Sequence, residues 1–307
     1  LEWGNFLFLD ERLAGLNQLR GPMPTFWSGI ERILLLGEGG RPAFLMGSFS
    51  SQGFPFYFPV AFAVKTPLLT LALFFFSAAL LLVIARTRQQ ALFLLVPVLL
   101  YFAASTASAL NIGYRHLLPI LPFVYLLIGG LVSPLAKTWL RERFADRPNV
   151  AIMPLALVFL LVLSLLAIDA QIHPHYISTF NSLAGGPENG HRIMVDSNID
   201  WGQDLLRLRQ WTAENGIDEL KLGWFGTADP DYYGLEYEPL PGFPRQPFYG
   251  QWTEPPFEPT APEPGIYAIS ASALWELPLA EKNVYPWFRE REPDDRVGYS
   301  ILIYEVP

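Results

Sequence analysis

The feature that most constrains this chain is a set of four stretches that carry no charged side chain and are each about as long as a membrane span. Crossing a hydrocarbon core of about 30 Å takes roughly 20 helical residues, because each residue adds ~1.5 Å. A buried helix of a soluble protein keeps a polar stripe, and segments such as LALFFFSAALLLVIA have none. We therefore predict four transmembrane helices, at about 66–85, 91–110, 117–135 and 150–168.

The overall composition supports a membrane location. Of the 307 residues 51% are apolar and 16% are charged, whereas a soluble domain has about a quarter charged residues. The absence of cysteine excludes a disulfide framework, a thiolate metal site and a cysteine nucleophile. The net charge of -8 argues against a nucleic-acid partner, which would need a basic surface.

The distribution of charge predicts the orientation of the chain. Residues 1–168 hold 12 basic and 7 acidic side chains, whereas residues 169–307 hold 9 basic and 22 acidic ones. Six basic residues fall between the first and second or the third and fourth predicted spans: Arg86, Arg88, Lys137, Arg141, Arg143 and Arg147. Because short cytoplasmic loops are rich in Lys and Arg, we expect these loops in the cytoplasm and both ends of the chain outside.

Three regions follow from this arrangement. Residues 1–65 form an outer loop, in which PTFWSGIERILLLGEGG has the spacing of an amphipathic interfacial helix. Residues 66–168 form the transmembrane domain, and residues 169–307 form a small extracytoplasmic domain. The sequence opens on LEWGNFLFLDE, and we expect it to be the C-terminal part of a longer protein.

The third region has the pattern of an α/β domain. Strands are predicted at 192–197, 220–225, 265–270 and 299–305. The first two should form a parallel pair around a helix at 200–215, where Asp200 and Gln203 have the spacing of a capping box. Ten prolines in the segment 229–264 predict a long irregular loop.

Cations beside the predicted spans are the first candidates for a binding site. Lys65 ends the segment YFPVAFAVK just before the first span. Tyr114, Arg115 and His116 lie in the short outer loop between the second and third spans. A snorkelling interface anchor is the alternative explanation of Lys65. Cations at the outer bilayer surface call for an anionic partner, so we expect these four residues to bind a lipid phosphate or diphosphate.

Polar residues in the segment VDSNIDWGQD are candidates for an acceptor or sugar site. Asp196, Asn198, Asp200 and Trp201 lie where a predicted strand ends and a helix begins, which is where open α/β sheets bind ligands. The structural alternative is that Asn198 forms the turn and Asp200 caps the helix. The two histidines of HPHY could chelate a metal, but histidines at a membrane surface are more often interfacial, and we predict no metal site and no cofactor.

Three separated segments carry a family resemblance: YFPVAFAVKTPLL, NIGYRHLLPILPF and HPHYISTFNSLAGGPENGHRIMVDSNIDWGQDL. Together they resemble the bacterial membrane glycosyltransferases of family 39, which are related to the dolichyl-phosphate-mannose protein mannosyltransferases and have the multi-spanning GT-C fold. The resemblance covers most of residues 24–215. It implies an α-helical integral membrane domain of partial GT-C type, followed by the small α/β extracytoplasmic domain, in the plasma membrane of a prokaryote.

The resemblance also implies an enzyme of the cell envelope, active in reactions such as protein glycosylation. Such an enzyme moves a sugar from a polyprenyl-phosphate carrier to an acceptor hydroxyl on the outer face, so its partners are the lipid-linked donor, membrane lipids and an acceptor of unspecified class. The reaction needs a carboxylate to take the acceptor proton and fixed positive charge beside the leaving phosphate, and Lys65, Arg115 and His116 match the second need. The family's carboxylate lies in a first outer loop, which we expect upstream of this sequence. We interpret the acidic pair Asp10 and Glu11 as solvated surface.

Two other functions are compatible with the sequence. The same scaffold could be a non-catalytic membrane protein that binds or translocates a lipid-linked glycan. The third region could also be a binding module that the spans merely anchor, although an anchor does not need Lys65 and Arg115 beside the bilayer. An upstream outer loop with an Asp or an Asp-Glu pair would favour the enzyme.

Overall fold

The computed structural model describes residue 29 and residues 42–108, 110–241, 257–258, 260–275 and 283–307. Apart from residue 29, the predicted amphipathic helix lies outside these residues, as do Asp10 and Glu11. The continuous described chain begins with an antiparallel hairpin, in which β1 (Ala43–Leu45) pairs with β2 (Ser48–Ser50). All three side chains of β1 are buried, and Phe44 and Leu45 belong to the core that the helices form.

Helices dominate the chain from residue 57 to residue 172. They are α1 (Tyr57–Lys65), α2 (Leu68–Val83), α3 (Arg88–Thr106), α4 (Leu121–Gly129), α5 (Pro134–Arg143) and α6 (Met153–Ile172). A 3₁₀ helix at Tyr114–Ile120 runs directly into α4, and a second one at Gly130–Val132 follows it. The helical backbone is therefore continuous over residues 114–132.

Three of these segments are long and apolar enough to cross a membrane: α3, the continuous segment 114–132 and α6. They correspond to the predicted spans 91–110, 117–135 and 150–168, with ends shifted by a few residues. The first predicted span, 66–85, corresponds to α2, which has 16 residues. Helices α1 and α2 are together long and apolar enough to cross a membrane, but the angle between them is 112°. They form a fourth span only if the pair is one broken span. The helices indicate a membrane protein.

Local sequence and one distant side chain build the bend between α1 and α2. Thr66 is extended, with φ -85° and ψ 132°, because the ring of Pro67 disfavours a helical residue before it. Asn181 closes the end of α1, since its Nδ2 donates to the carbonyls of Ala63 and Thr66 at 2.7 Å each. The backbone N–H of Asn181 donates to Val64 O at 2.8 Å. These bonds satisfy carbonyls that a helix end leaves without a partner.

A five-stranded mixed sheet forms the centre of the C-terminal region, in the order β4-β3-β5-β7-β6. Its strands are β3 (Leu220–Gly223), β4 (Tyr237–Pro239), β5 (Gly265–Ser270), β6 (Asp295–Val297) and β7 (Ile301–Val306). Strand β3 is parallel to β4 and β5, whereas β7 is antiparallel to β5 and β6. Three helices accompany the strands: α7 (Leu205–Asn215), α8 (Ala271–Leu274) and α9 (Pro286–Arg289). A sheet with helices is therefore present, and β5 has the predicted bounds.

The predicted strand at 192–197 is wrong. The described backbone there forms 3₁₀ turns at Gly190–Arg192 and Asp196–Asn198, and β3 pairs with β4 and β5 instead of with this segment. Met194 and Val195, the apolar residues that suggested a strand, are buried in the core formed with the helices. A short apolar run has no periodicity that would distinguish a strand from a buried turn.

Helix α7 is shorter than predicted. It begins at Leu205 because Gly202 has a left-handed φ of 73°, which a right-handed helix cannot include. It ends at Gly216, as predicted, and that glycine has a φ of 65°. The predicted capping box is absent, since the Gln203 side chain accepts a hydrogen bond from the backbone N–H of Trp201.

The start of the proline-rich segment has regular structure, which differs from the prediction for 229–264. A 3₁₀ helix at Pro230–Tyr233 precedes β4. Pro239 is compatible with β4 because this strand lies at the edge of the sheet, where one side has no partner strand in the described chain. Residues 242–256 and residue 259 lie outside the described residues.

One hydrophobic core joins the helices to the segment that follows α6. It contains side chains of α1 to α6 together with Phe180, Met194, Val195 and Ile199. Two smaller clusters are centred on the sheet. The segment after α6 is therefore packed against the helices, and this packing brings its polar residues to Lys65.

Candidate functional site

A cleft of about 510 Å³ lies beside Lys65. Its walls come from the corner between α1 and α2, the C-terminal half of α6, the chain from residue 179 to residue 188, and Tyr299. The helices contribute mainly apolar side chains and the following segment mainly polar ones. The apolar residues are Leu68, Leu69, Ile168 and Ile172. The polar residues are Thr179, Asn181, Ser182 and Glu188.

The ammonium group of Lys65 is held in a fixed position. Its Nζ donates to Ile177 O at 2.8 Å and to Asn198 O at 2.5 Å, and it lies 4.1 Å from the centre of the Phe180 ring. No carboxylate oxygen of a described residue lies within 4 Å of it. An ammonium has three N–H donors, so one donor is left for a ligand after the two carbonyls are satisfied.

Asn198 is completely buried and joins three parts of the chain. Its Nδ2 donates to Tyr57 Oη at 2.8 Å and to Val195 O at 3.0 Å. Its Oδ1 accepts from Tyr114 N at 2.9 Å, and its carbonyl accepts from Lys65. A side chain that is buried and hydrogen-bonded in this way cannot contact an acceptor substrate. These contacts favour the structural alternative, in which Asn198 forms a turn.

The backbone before Tyr114 lies directly against the segment that contains Asn198. The Ser197 hydroxyl donates to Ile112 O. Gly113 has a φ of 146°, and a Cβ there would come within 2.6 Å of Ser197 Oγ, so only glycine fits this approach. The two segments are thus joined by both hydrogen bonds and close packing.

Tyr114, Arg115 and His116 do not line the cleft as the described residues form it. Tyr114 Oη is 2.9 Å from Thr66 Oγ1, so this side chain reaches the corner next to Lys65. His116 packs edge-on to an aromatic ring of α1, and its Nε2 has no hydrogen-bond partner among the described residues. The four predicted phosphate ligands are therefore close in the fold, but Lys65 alone of them lines the cleft.

Arg115 is exposed and pairs with Trp201. Its guanidinium carbon lies 4.9 Å from the centre of the Trp201 ring, and half of Trp201 is accessible to solvent. Asp196, in the same segment, has a left-handed φ of 59°, and its carboxylate accepts from Ser197 N. Of the four residues predicted for an acceptor site, Asp196 and Trp201 are the accessible ones.

Two fully buried carboxylates, Asp200 and Asp204, fasten this segment to the sheet region. Asp200 accepts from Gly202 N at 3.1 Å and from Ser272 N at 3.3 Å, and Asp204 accepts from the Ser300 hydroxyl at 2.7 Å. Burial raises the pKa of Asp200 to about 8. These contacts favour a structural role for Asp200. It caps a turn at Gly202 and not the start of α7, where the cap was predicted.

We expect the contribution of Asp200 to make the free energy of unfolding fall as the pH rises from about 4 to about 8. Within this range the folded chain holds a proton that the unfolded chain has released, so a rise in pH favours unfolding. Asp200→Asn resembles the protonated acid and should weaken this pH dependence. Thermal unfolding of the detergent-solubilised protein across the range measures it, with the exposed Asp218→Asn as control. An identical pH dependence in both variants would contradict the prediction.

The histidines after α6 make contacts within the protein. His173 Nδ1 is 2.8 Å from Tyr176 Oη, and His175 Nδ1 is 3.8 Å from Asp204 Oδ1. The ring of His175 also meets the ring of Tyr299 edge-on. Among the residues that the structure describes, no three His, Asp or Glu side chains are grouped so that they could hold a metal ion.

Three residues that shape the cleft were not among the predicted site residues. Phe180 lies under the Lys65 ammonium, Asn181 closes the corner, and Glu188 contributes a carboxylate. All three belong to FNSLAGGPENG, whose Asn, Gly and Pro residues are typical of turns. Turn chemistry indicates a compact loop, but it does not indicate which distant helix the loop packs against.

The cleft combines a held cation, an apolar wall and polar groups, which is an arrangement suited to an amphiphilic ligand with an anionic head group. Lys65 and Tyr114 meet near Asn198, and Arg115 lies beside Trp201. In comparisons with known proteins, no family profile, curated protein or solved structure matches this chain.

Proposed function

We propose that this chain is the C-terminal part of a membrane glycosyltransferase that moves a sugar from a polyprenyl-phosphate carrier to an acceptor hydroxyl on the outer face of a prokaryotic plasma membrane. The position of Lys65 carries the proposal. Its ammonium lines a cleft of about 510 Å³, and its described hydrogen-bond partners are two neutral carbonyls instead of a carboxylate. The third N–H of the amine is therefore available to a phosphate.

The walls of the cleft suit a lipid-linked phosphate. Leu68 and Leu69 lie at the start of α2, and Ile168 and Ile172 lie at the end of α6. Apolar side chains of two hydrophobic helices therefore form one side of the cleft. A prenyl chain can lie along this side with little loss of apolar contact. The polar residues of the segment 179–188 form the other side, where a sugar can donate and accept hydrogen bonds.

The proposed reaction breaks the bond between the anomeric carbon and a phosphate oxygen. The electron pair stays on the phosphate, while the acceptor oxygen forms the new bond to the anomeric carbon and gives its proton to a base. Negative charge thus develops on the phosphate, beside Lys65. A cation whose position is already fixed stabilises such charge without reorganisation at the moment of reaction.

Arg115 and Trp201 offer a second contact area for the substrates. An exposed guanidinium and a half-exposed indole lie 4.9 Å apart at the junction of the helices with the segment after Asn198. The indole provides a flat surface on which a sugar can stack, and the guanidinium provides charge. We assign this pair to binding of the acceptor or of the sugar.

The proposal is tested with the full-length protein in lipid vesicles and a panel of radiolabelled polyprenyl-phosphate-linked hexoses. Transfer of label to an added acceptor fraction supports an enzyme. Binding of the lipid-linked sugars without any transfer would contradict it and would favour a protein that only binds or translocates the glycan.

Arg115→Ala is expected to lower sugar transfer at least about tenfold and to leave membrane insertion intact, because it removes the cation from the second contact area. Arg115→Lys keeps the charge but loses the flat guanidinium, so we expect an intermediate rate. Transfer rates in vesicles, normalised to inserted protein, measure the effect. Arg291→Ala, which removes another arginine stacked on a tryptophan, is the control. Full activity of Arg115→Ala would remove Arg115 from the mechanism.

A further inference from the structure

We propose that a second cavity, at the end of α2 away from Lys65, binds an anionic phospholipid. The cavity has a volume of about 460 Å³, which lies within the range of roughly 300–1,000 Å³ that ligand sites occupy. Helix α2 has 16 residues and is therefore about 24 Å long, so this cavity is separate from the cleft beside Lys65. The inference is independent of the proposed sugar transfer.

Most of the cavity wall is apolar. It is formed by the C-terminal end of α2, the first two turns of α3, and α4 with the 3₁₀ helix that follows it. The apolar lining residues are Leu81, Ala91, Phe93, Leu94 and Leu126. Phe93 and Leu126 are exposed, and both belong to helical segments long and apolar enough to cross a membrane. An acyl chain can therefore enter the cavity from the lipid side.

The other lining residues, apart from Gly130, are polar and lie at helix ends. Thr87 precedes α3, Gln89 and Gln90 belong to its first turn, and Ser133 precedes α5. The amides of Gln89 and Gln90 are exposed and can donate to the phosphate or ester oxygens of a lipid. Apolar walls next to a polar end match the two parts of a phospholipid.

Arg88 provides positive charge at this polar end. Its backbone lies between Thr87 and Gln89, which both line the cavity, and its Nε donates to Leu82 O at 2.9 Å. This bond holds the guanidinium at the end of α2, next to the cavity residue Leu81. No carboxylate oxygen of the described chain lies within 4 Å of Arg88, so its remaining N–H groups can bind a ligand. A guanidinium can bind two phosphate oxygens at once.

The charges around the cavity favour an anionic ligand. No acidic side chain lines it, and the first turn of α3 contains none. Arg86 and Glu142 lie 3.5 Å apart and offset each other, which leaves the charge of Arg88 uncompensated. The arginines of this loop predict that it faces the cytoplasm, where the membrane leaflet contains anionic lipids. An anionic phospholipid supplies both a phosphate for Arg88 and acyl chains for the apolar wall.

The test measures lipid binding to the full-length protein in detergent by native mass spectrometry. The probes are phosphatidylglycerol and phosphatidylcholine with identical dioleoyl chains. We expect the unmodified protein to bind phosphatidylglycerol about tenfold more tightly than phosphatidylcholine. Arg88→Gln should reduce this preference about fivefold, which is the effect of one cation near an anionic lipid surface, and Arg88→Lys should retain most of it.

Two further variants locate the binding site. Arg141→Gln removes an exposed arginine of α5 that does not line the cavity, so it is the matched control and should bind both lipids normally. Leu126→Trp places a large side chain at the exposed apolar wall without changing the charge. It should lower the affinity for both lipids about fivefold or more, because it fills part of the space that an acyl chain needs.

Three results would overturn the inference. The first is equal affinity of Arg88→Gln and Arg141→Gln for phosphatidylglycerol. The second is normal lipid binding by Leu126→Trp, which would place the lipid elsewhere. The third is binding of glycerol phosphate as tight as that of phosphatidylglycerol, because a free anion would then be the ligand. Since the readout is lipid binding at the far end of α2, none of these results bears on sugar transfer.

Discussion

Replacing Lys65 with methionine is expected to lower the rate of sugar transfer about 100- to 1,000-fold, because it removes the fixed positive charge beside the leaving phosphate. Methionine keeps an unbranched apolar side chain but loses the contact of the ammonium with the Phe180 ring. Binding of polyprenyl phosphate should weaken as well, since no other cation of a described residue lines the cleft. Transfer by protein in vesicles and binding in detergent micelles measure the two effects.

Two comparisons separate loss of charge from loss of structure. Lys65→Met leaves the carbonyls of Ile177 and Asn198 without their donor, so its thermal unfolding must be measured alongside its activity. Lys137→Met, which removes a lysine of α5 outside the cleft, is the matched control and should transfer normally. If Lys65→Met folds and transfers at the rate of Lys137→Met, the charge of Lys65 has no part in the reaction.

Asn198→Ala is expected to lower the free energy of unfolding by about 2–5 kcal/mol. The variant loses hydrogen bonds to Tyr57 Oη, Val195 O and Tyr114 N, all at a completely buried position. The bonds connect α1, the start of the segment 114–132 and the loop before α7, so their loss should loosen the whole junction. Thermal unfolding in detergent, read by intrinsic tryptophan fluorescence, measures the change.

The control for Asn198→Ala is Asn149→Ala, because Asn149 is exposed in the turn before α6. A substitution at an exposed position of this kind changes stability by about 0.5 kcal/mol or less. Asn198→Asp keeps the acceptor for Tyr114 N but loses both donated bonds and places a buried carboxyl group beside the Val195 carbonyl, so it should be no more stable than Asn198→Ala. A stable Asn198→Ala would mean that the junction does not depend on these bonds.

The helical part of the fold could be predicted from the sequence because the relevant pattern is local. A long stretch without charged residues indicates a lipid environment without reference to the rest of the chain. Three of the four stretches correspond to helices long enough to span a membrane. The bend between α1 and α2 was not predicted. The local signal, Pro67, was present, but the bond from Asn181 to Thr66 joins residues 115 positions apart, and no local pattern contains it.

The position of Lys65 beside a helix end could be predicted from the sequence, but its contacts could not. A lysine beside a span is conspicuous in any sequence, so Lys65 was identified. Asn198 was a candidate ligand residue because it follows a predicted strand, with a turn residue as the alternative. It is buried by contacts with α1 and Tyr114. Phe180 and Glu188 were missed because their roles depend on how a turn-rich loop packs against the helix ends.

The way in which Lys65 is held has a consequence for ligand selectivity. A free lysine side chain loses about 1.5–2 kcal/mol of rotational entropy when a ligand immobilises it. Here Ile177, Asn198 and Phe180 restrict the amine during folding, so an incoming anion meets little of this entropic penalty. The same rigidity prevents the amine from following a displaced head group. A cleft of this kind should tolerate different tail lengths but reject molecules whose negative group is offset from the ammonium.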